Sequence, residues 1–505
     1  MLYGIKPYKI ILLIPLILIY TLLLFTGDIQ EDAFISFRIA FNLADHGELT
    51  YNFGEDYSPS TSFLYPLLIA LIRLASGDHA ITFVLIANSI SLLFTSFFLT
   101  RILGRIFNFS NAMRDLLWIA LSIAPITLLM ANRGMEAPYV ALLFVVGLCR
   151  IQDAPSRLSS LMPVLILPFV RPDAIAFSLI LTGFSYTIMP HIGKRYLVST
   201  ISAGVMLSLA YYFTIGSFIP NSVLAKGSGI MSQLYGVLDR ELWIYFESPL
   251  FALVKSKYLV TTYPIFNVFA LGLSAVLLYK IWCDRRPYFS IIVAILAGVW
   301  LVPGAYGISN AIFPWYFWPS RLLYQGLLIA GVLYLATSYL PPLTARRVIG
   351  GFLLVFASFV MLQLAISYSK GVQESGYRAS VGKYIHTLAK DDDTMYLEPA
   401  GYIPYFARIR TIDSVGLVSN TVLRYKKNYP KRWEIELLRK EKPVFLVYRN
   451  KRWWDSSENQ KWFDENYETL RNFEYNPEDF TSIPFLQRIL KFGDHANYHV
   501  LKLRE

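Results

Sequence analysis

Long apolar runs with few charges inside them constrain this chain more than anything else in it. The first extends from Ile10 to Phe25, after Lys6 and Lys9. Others cover roughly 80–100, 115–131, 135–149, 161–189, 196–213, 258–279, 288–308, 314–337 and 348–368. A helix needs about 20 apolar residues to cross a bilayer, so most of these runs are long enough. The 161–189 run is broken by Arg171-Pro172-Asp173 and reads as a short helix with its return partner. With the first run, that makes eleven predicted spans. Composition agrees. Of 505 residues, 55% are hydrophobic and only 16% are charged, against about 25% in a soluble domain. A soluble multidomain enzyme is excluded because it lacks the charge to cover its surface. Two Cys exclude a disulfide scaffold. The net charge of +11 is spread along the chain in ones and twos, which fits a positive-inside bias better than a nucleic-acid surface.

The loops set the expected orientation. Gly27 to Ser60 carries seven acids (Asp28, Glu31, Asp32, Asp45, Glu48, Glu55 and Asp56) and one base, Arg38. The positive-inside rule puts it outside. No small-residue cleavage site follows the first run, so it reads as an uncleaved helix with a cytoplasmic N-terminus. Fourteen Lys and Arg in alternate connections, among them Arg101, Arg105, Lys194 and Arg346, then fall on the cytoplasmic side. This holds if the run Ser62 to Ala75, which contains Arg73, lies on the surface as an amphipathic helix. Parity places 214–257 and the C-terminal 369–505 outside. That last part has 23 Lys and Arg, 19 Asp and Glu, and no spanning run. Thr394–Glu398 and Pro443–Tyr448 alternate like strands, and Glu434–Lys440 reads as helical. The expected architecture is an all-α polytopic membrane domain, 1–368, with a first outer loop at 26–79 and a separate α/β domain at 369–505.

Polar residues where apolar ones would be cheaper mark candidate chemistry. Glu31 and Asp32 open an apolar-rich helix, with Arg38 further along. Asp32 can be a plain helix N-cap, or it can aim a carboxylate at a substrate as a general base, since an apolar setting raises a carboxyl's proton affinity. Glu136 stands where the helix dipole favours an acid, or it faces substrate. Arg171 sits in the break of a hydrophobic run and needs a partner, either Asp173 or a lipid phosphate. Lys226, after Asn221, snorkels or meets a phosphate. Trp315 and Tyr316 form an aromatic belt, and Arg321 lies below it. No Walker A loop, dinucleotide fingerprint, His metal pair or Ser-His-Asp signature is present. No cofactor is firmly implied, and paired acids leave a divalent metal open. No internal repeat supports an inverted-repeat transporter.

In order along the chain, these clusters resemble a known family. Glu31-Asp-Ala-Phe-Ile-Ser-Phe-Arg38 through Phe53-Gly-Glu55 is similar to the first outer loop of bacterial GT-C glycosyltransferases. The branch it most resembles is that of the terminal arabinofuranosyltransferases. Gly134-Met-Glu136, Arg171-Pro-Asp173, Pro220-Asn221 with Lys226, Pro314-Trp-Tyr316, Glu398–Tyr405 and Asp413–Leu417 follow the same pattern. The resemblance implies an inverting enzyme of the bacterial inner membrane with its active site on the extracytoplasmic side. It would use a polyprenyl-phosphate sugar, arabinofuranose first, and a glycan, lipid-glycan or protein acceptor. Asp32 would be the base, or else Glu31. Arg171, Lys226 and Arg321 would meet the phosphate, with Glu136, Arg38, Asp173, Asn221, Trp315 and Tyr316 near substrate. Convergence of Asp32, Glu136, Arg171 and Lys226 in one outward cavity is expected. A polyprenyl-linked flippase or a non-catalytic assembly subunit is the competing reading.

Overall fold

The computed structural model describes residues 7–55, 60–216, 286–308, 314–449, 457–490 and 497–504, with isolated positions between 218 and 283. Of the expected run at 258–279, only 272 and 274–279 are described, and these are helical; the rest lies outside the described residues. The described residues are mostly helical, about 75%. Among the described residues, four helices are long and apolar enough to cross a membrane, or five if the bent pair Asn111–Ser122 and Pro125–Asn132 is one span. The expected eleven is a finer count than this.

The chain forms two compact units. The first comprises 1–24, 85–207 and 227–364. Helices Ala80–Ile106, Ala137–Asp153, Pro190–Ile215, Phe289–Ile308 and Trp318–Tyr339 follow the apolar runs. The broken run becomes Met162–Val170 and Ile175–Ile188, separated by a single turn at Pro172–Ala174. Pro172 cannot donate a helical hydrogen bond and disfavours a helical conformation at Arg171. Arg171 is accordingly extended, with φ −153° and ψ 131°. Small residues let neighbouring helices approach: a Cβ at Gly147 would strike Leu181, and one at Gly326 would strike Leu99. The Trp315–Tyr339 span is 67% buried and the one beginning at Pro342 is 17% buried, so the former is an inner helix and the latter presents most of its surface outward.

The second unit comprises 25–84, 208–226 and 365–505. Its centre is a five-stranded sheet in the order β2-β1-β3-β5-β4. The strands are β1 (Thr394–Leu397), β2 (Arg410–Asp413), β3 (Phe445–Arg449), β4 (Tyr467–Phe473) and β5 (Tyr498–Leu503). The first three pair in parallel and β5 runs against β3 and β4. Alternation divides each strand between two cores. Met395, Leu397, Phe445 and Val447 meet Val381, Ile385 and Ile403 on one face. Tyr396, Leu446 and Tyr448 meet Val422, Leu437 and Leu438 on the other. Helix Trp433–Glu441 lies where the sequence predicts it.

The first loop belongs to this unit. Helix Ala33–His46 ends at Gly47, whose φ of 79° needs glycine. The run read as amphipathic is helix Leu64–Ser76, 13 residues long. At 1.5 Å per residue it is about 20 Å, too short for a hydrocarbon core of about 30 Å. Arg73 holds it to the preceding helix by a two-point bridge to Asp45, at 3.1 Å for each contact.

Candidate active site

In the second unit, the segment between Gly27 and Tyr51 is fastened to the C-terminal sheet by buried polar side chains. Glu31 is the first fastener. Its Oε1 accepts from the Gly401 N–H at 2.5 Å, and both oxygens accept from the Tyr402 N–H at 3.2 Å. Arg378 stands 3.5 Å from Oε2 and 2.7 Å from Glu374. Gly401 has to be glycine, because any Cβ would collide with the Glu31 backbone oxygen. Burial is the largest influence on the Glu31 carboxyl. The Arg378 charge opposes it, Glu374 adds to it, and the two N–H donors oppose it. The balance pushes the group up to about 7.

Arg38 is the second fastener. The sequence reading sets it among the substrate contacts. The structure directs its Nε to the Tyr51 carbonyl at 2.8 Å, Nη1 to that of Pro404 at 3.0 Å, and Nη2 to that of Ile409 at 2.7 Å. Its guanidinium also lies 4.5 Å over the Tyr51 ring. Every nitrogen of the fork donates to protein, which is the use of an arginine that ties chain segments together. Asn52 completes the seam: its amide donates to the Thr411 carbonyl at 3.0 Å and accepts the Thr411 N–H at 2.9 Å. Asp413 folds the following turn by accepting from the N–H groups of Val415, Leu417 and Val418. Burial raises its carboxyl, and those three bonds hold the rise back.

Asp32 differs from its neighbours. It occupies the N-cap position of helix Ala33–His46, but its backbone is already helical and its side chain makes no capping bond. A capping aspartate has an extended backbone and bonds to the second or third N–H. Asp32 therefore holds the N-cap position without a side-chain capping bond. The helix behind it is anchored by Phe34 and Phe37, which are buried; Phe34 packs against the rings of Tyr402 and Tyr405.

In the first unit, Arg171 is the centre of a second cluster. It is 4% exposed. Its Nε and Nη2 bind Asp173 at 3.0 and 2.6 Å, and its Nε lies 3.4 Å from Glu136. The guanidinium stacks 4.8 Å from the Tyr316 ring. Of the partners weighed from sequence for Arg171, Asp173 is present, and Glu136 joins it. Glu136 stands at the N-cap of helix Ala137–Asp153 without capping it. The turn before it uses Gly134 at φ 66°, and the Asn88 amide donates to the Met135 carbonyl at 3.2 Å. Trp315 precedes Tyr316, and buried Arg321 follows on the next helix, its charge 5.9 Å from the Phe317 ring. Arg133 is buried as well. Asn221 and Lys226 lie outside the described residues.

Sequence reasoning missed Arg378 and Glu374. The available signal was an opposite-charge pair four residues apart just beyond the last apolar run. No group of three or more His, Cys, Asp or Glu side chains able to hold a metal occurs among the described residues.

A family model described as a domain of unknown function (DUF8728) matches residues 365–497. No curated protein matches the sequence. Among solved structures, ArnT from Cupriavidus metallidurans in the apo state is similar, with a TM-score of 0.57 and 12% identity over 98% of this chain and 97% of that one. ArnT from the same organism bound to undecaprenyl phosphate is similar at a TM-score of 0.53 and 11% identity, over 88% and 93%. ArnT is a GT-C glycosyltransferase, and the likeness shows that this chain has the GT-C fold. Neither structure points to the arabinofuranosyltransferase branch.

Proposed function

We propose that this protein is an inverting glycosyltransferase that takes a sugar from a polyprenyl-phosphate donor and gives it to an extracytoplasmic acceptor. The observation that carries the reading is the fold shared with ArnT, in a chain whose Asp32 carboxylate stands at the head of an anchored helix. The ArnT structure bound to undecaprenyl phosphate supports a lipid-phosphate donor. In the proposed reaction the Asp32 carboxylate takes the acceptor hydroxyl proton as that oxygen attacks the anomeric carbon. The bond from that carbon to the phosphate oxygen breaks, and polyprenyl phosphate leaves. Glu31 is the other candidate base; its oxygens accept from Gly401, Tyr402 and Arg378, and the motif resemblance assigns the base to Asp32.

The leaving phosphate gains negative charge and needs fixed cations. Arg171 is assigned that task, with Arg321 and Lys226 beside it in the reading. Asp173 and Tyr316 fix the plane of the Arg171 guanidinium. Arabinofuranose as the sugar is supported by the motif resemblance alone.

The test is transfer by purified protein from synthetic polyprenyl-phosphate arabinofuranose to a panel of glycan and peptide acceptors. Wild type and Glu31→Gln should transfer, while folded Asp32→Asn should lose at least about 100-fold, the low end for a general base. Transfer by Asp32→Asn at the wild-type rate would move the base elsewhere. Donor binding absent from wild type would remove this sugar, and absent across other polyprenyl-linked sugars it would favour the transporter.

A further inference from the structure

The segment Thr481–Leu490 carries two large apolar side chains that the protein does not cover. Ile483 is 54% exposed and Phe485 is 70% exposed. They sit at the start of the short helix Pro484–Leu490, and Arg488 on the same helix is also exposed. Among the described residues of 369–505, Leu388 at 43% is the other large apolar side chain left exposed.

The place of Ile483 and Phe485 in the unit supplies a use. Helix Pro342–Gly371 contains the last membrane run, and its chain continues without a break into the turn Val372–Arg378. The Thr481–Leu490 segment is held to that turn at both ends. The Gln373 amide donates to the Leu490 carbonyl at 3.4 Å, and Tyr475 donates to the same carbonyl at 3.2 Å. At the other end, Phe480 lies in van der Waals reach of Gly376 and stacks on Tyr475 at 5.6 Å between ring centroids. Gln487 closes the loop by donating to the Thr481 carbonyl at 2.9 Å. Gln373 and Gly376 come five and eight residues after the last apolar run ends at 368, or about 8 and 12 Å along a helix axis. The headgroup layer of one leaflet is about 5–8 Å thick. The segment is therefore tethered at the outer edge of the headgroup layer, within reach of side chains that extend toward it.

We propose that Thr481–Leu490 is a membrane foot: Ile483 and Phe485 insert into the interfacial layer of the bilayer, and Arg488 pairs with lipid phosphates. The partner is the lipid surface that already covers the adjoining span, and exposed apolar groups beside a cation are what that layer accepts. The inference needs the chain to span a bilayer and does not depend on the reaction it performs.

The test uses the full chain in nanodiscs of phosphatidylethanolamine and phosphatidylglycerol. Exposed Cys283 is changed to Ser, and a nitroxide is attached through Phe485→Cys, through Ile483→Cys, or through Arg432→Cys as a water-exposed reference. Oxygen, which partitions into lipid, should relax the labels at 483 and 485 several-fold more than a water-soluble nickel chelate does. The order should reverse at 432. Equal access of the chelate at 485 and 432 would overturn the foot. So would a label at 485 shielded from both reagents, which would mean a protein partner or a second copy covers it. Exposed positions tolerate these changes, and an unchanged elution profile verifies each variant.

Discussion

At the scale of single residues, Glu31 and Asp32 show how adjacent carboxylates part ways. Glu31 turns into the protein and is bound there; Asp32 stays at the helix head. The Glu31 carboxyl is raised from 4.5 to about 7 in the fold, so the folded state holds a proton that the unfolded chain has released. Its contribution to stability is full below about pH 4.5 and disappears as pH climbs through about 7. Glu31→Gln should therefore match wild type in thermal melts at pH 5 and exceed it at pH 8, by up to about 3 kcal/mol. A variant that melts lower at both pH values would show that the carboxylate itself is the fastener. Gly401→Ala places a methyl on the Glu31 backbone oxygen and should cost more than about 2 kcal/mol. A melt within a degree of wild type would disprove that crowding.

At the scale of elements, the helix Ala33–His46 is positioned by ties that its own sequence does not announce. Arg38 satisfies the carbonyls of Tyr51, Pro404 and Ile409. Arg38→Lys keeps the charge but cannot reach three carbonyls with one ammonium. It should destabilise by about 1–3 kcal/mol, the cost of buried acceptors left open. Asn52→Ala loses both bonds to the Thr411 backbone and should cost a similar amount. Chemical denaturation in detergent checks both, and losses under about 0.5 kcal/mol would mean that water replaces the ties. The apolar pattern made the helix itself legible. The sequence placed Arg38 near substrate and gave no hint of the carbonyls it meets. Those lie more than 360 residues away for Pro404 and Ile409.

At the scale of the whole molecule, the membrane reading makes a prediction about sides. If the loop charges orient the chain, a thiol introduced by Arg432→Cys should react with a membrane-impermeant maleimide in intact cells. Cys283, beside the basic residues Arg285 and Arg286, should not. Reaction at Cys283 with protection at 432 would invert the topology. On the reaction side, Arg171→Met should abolish binding of the polyprenyl-phosphate donor while Asp32→Asn retains it. Equal donor affinity in Arg171→Met would leave that arginine a partner of Asp173 and Glu136 alone.

The sequence by itself determined the membrane class, the positions of the described apolar helices and of β1 and β3, and the break at Arg171. These follow from local physics: hydrophobic length, strand alternation, and a proline that cannot continue a helix. The motif order also led to the GT-C fold. Tertiary structure alone decided which polar residues are fasteners. Glu31 is held by Gly401, Tyr402 and Arg378, and Arg171 by Asp173, Glu136 and the Tyr316 ring. A charged side chain carries the same sequence signal whether it binds substrate or a distant backbone. Its role is set by the partners that folding brings within about 3 Å, and those are chosen by long-range packing.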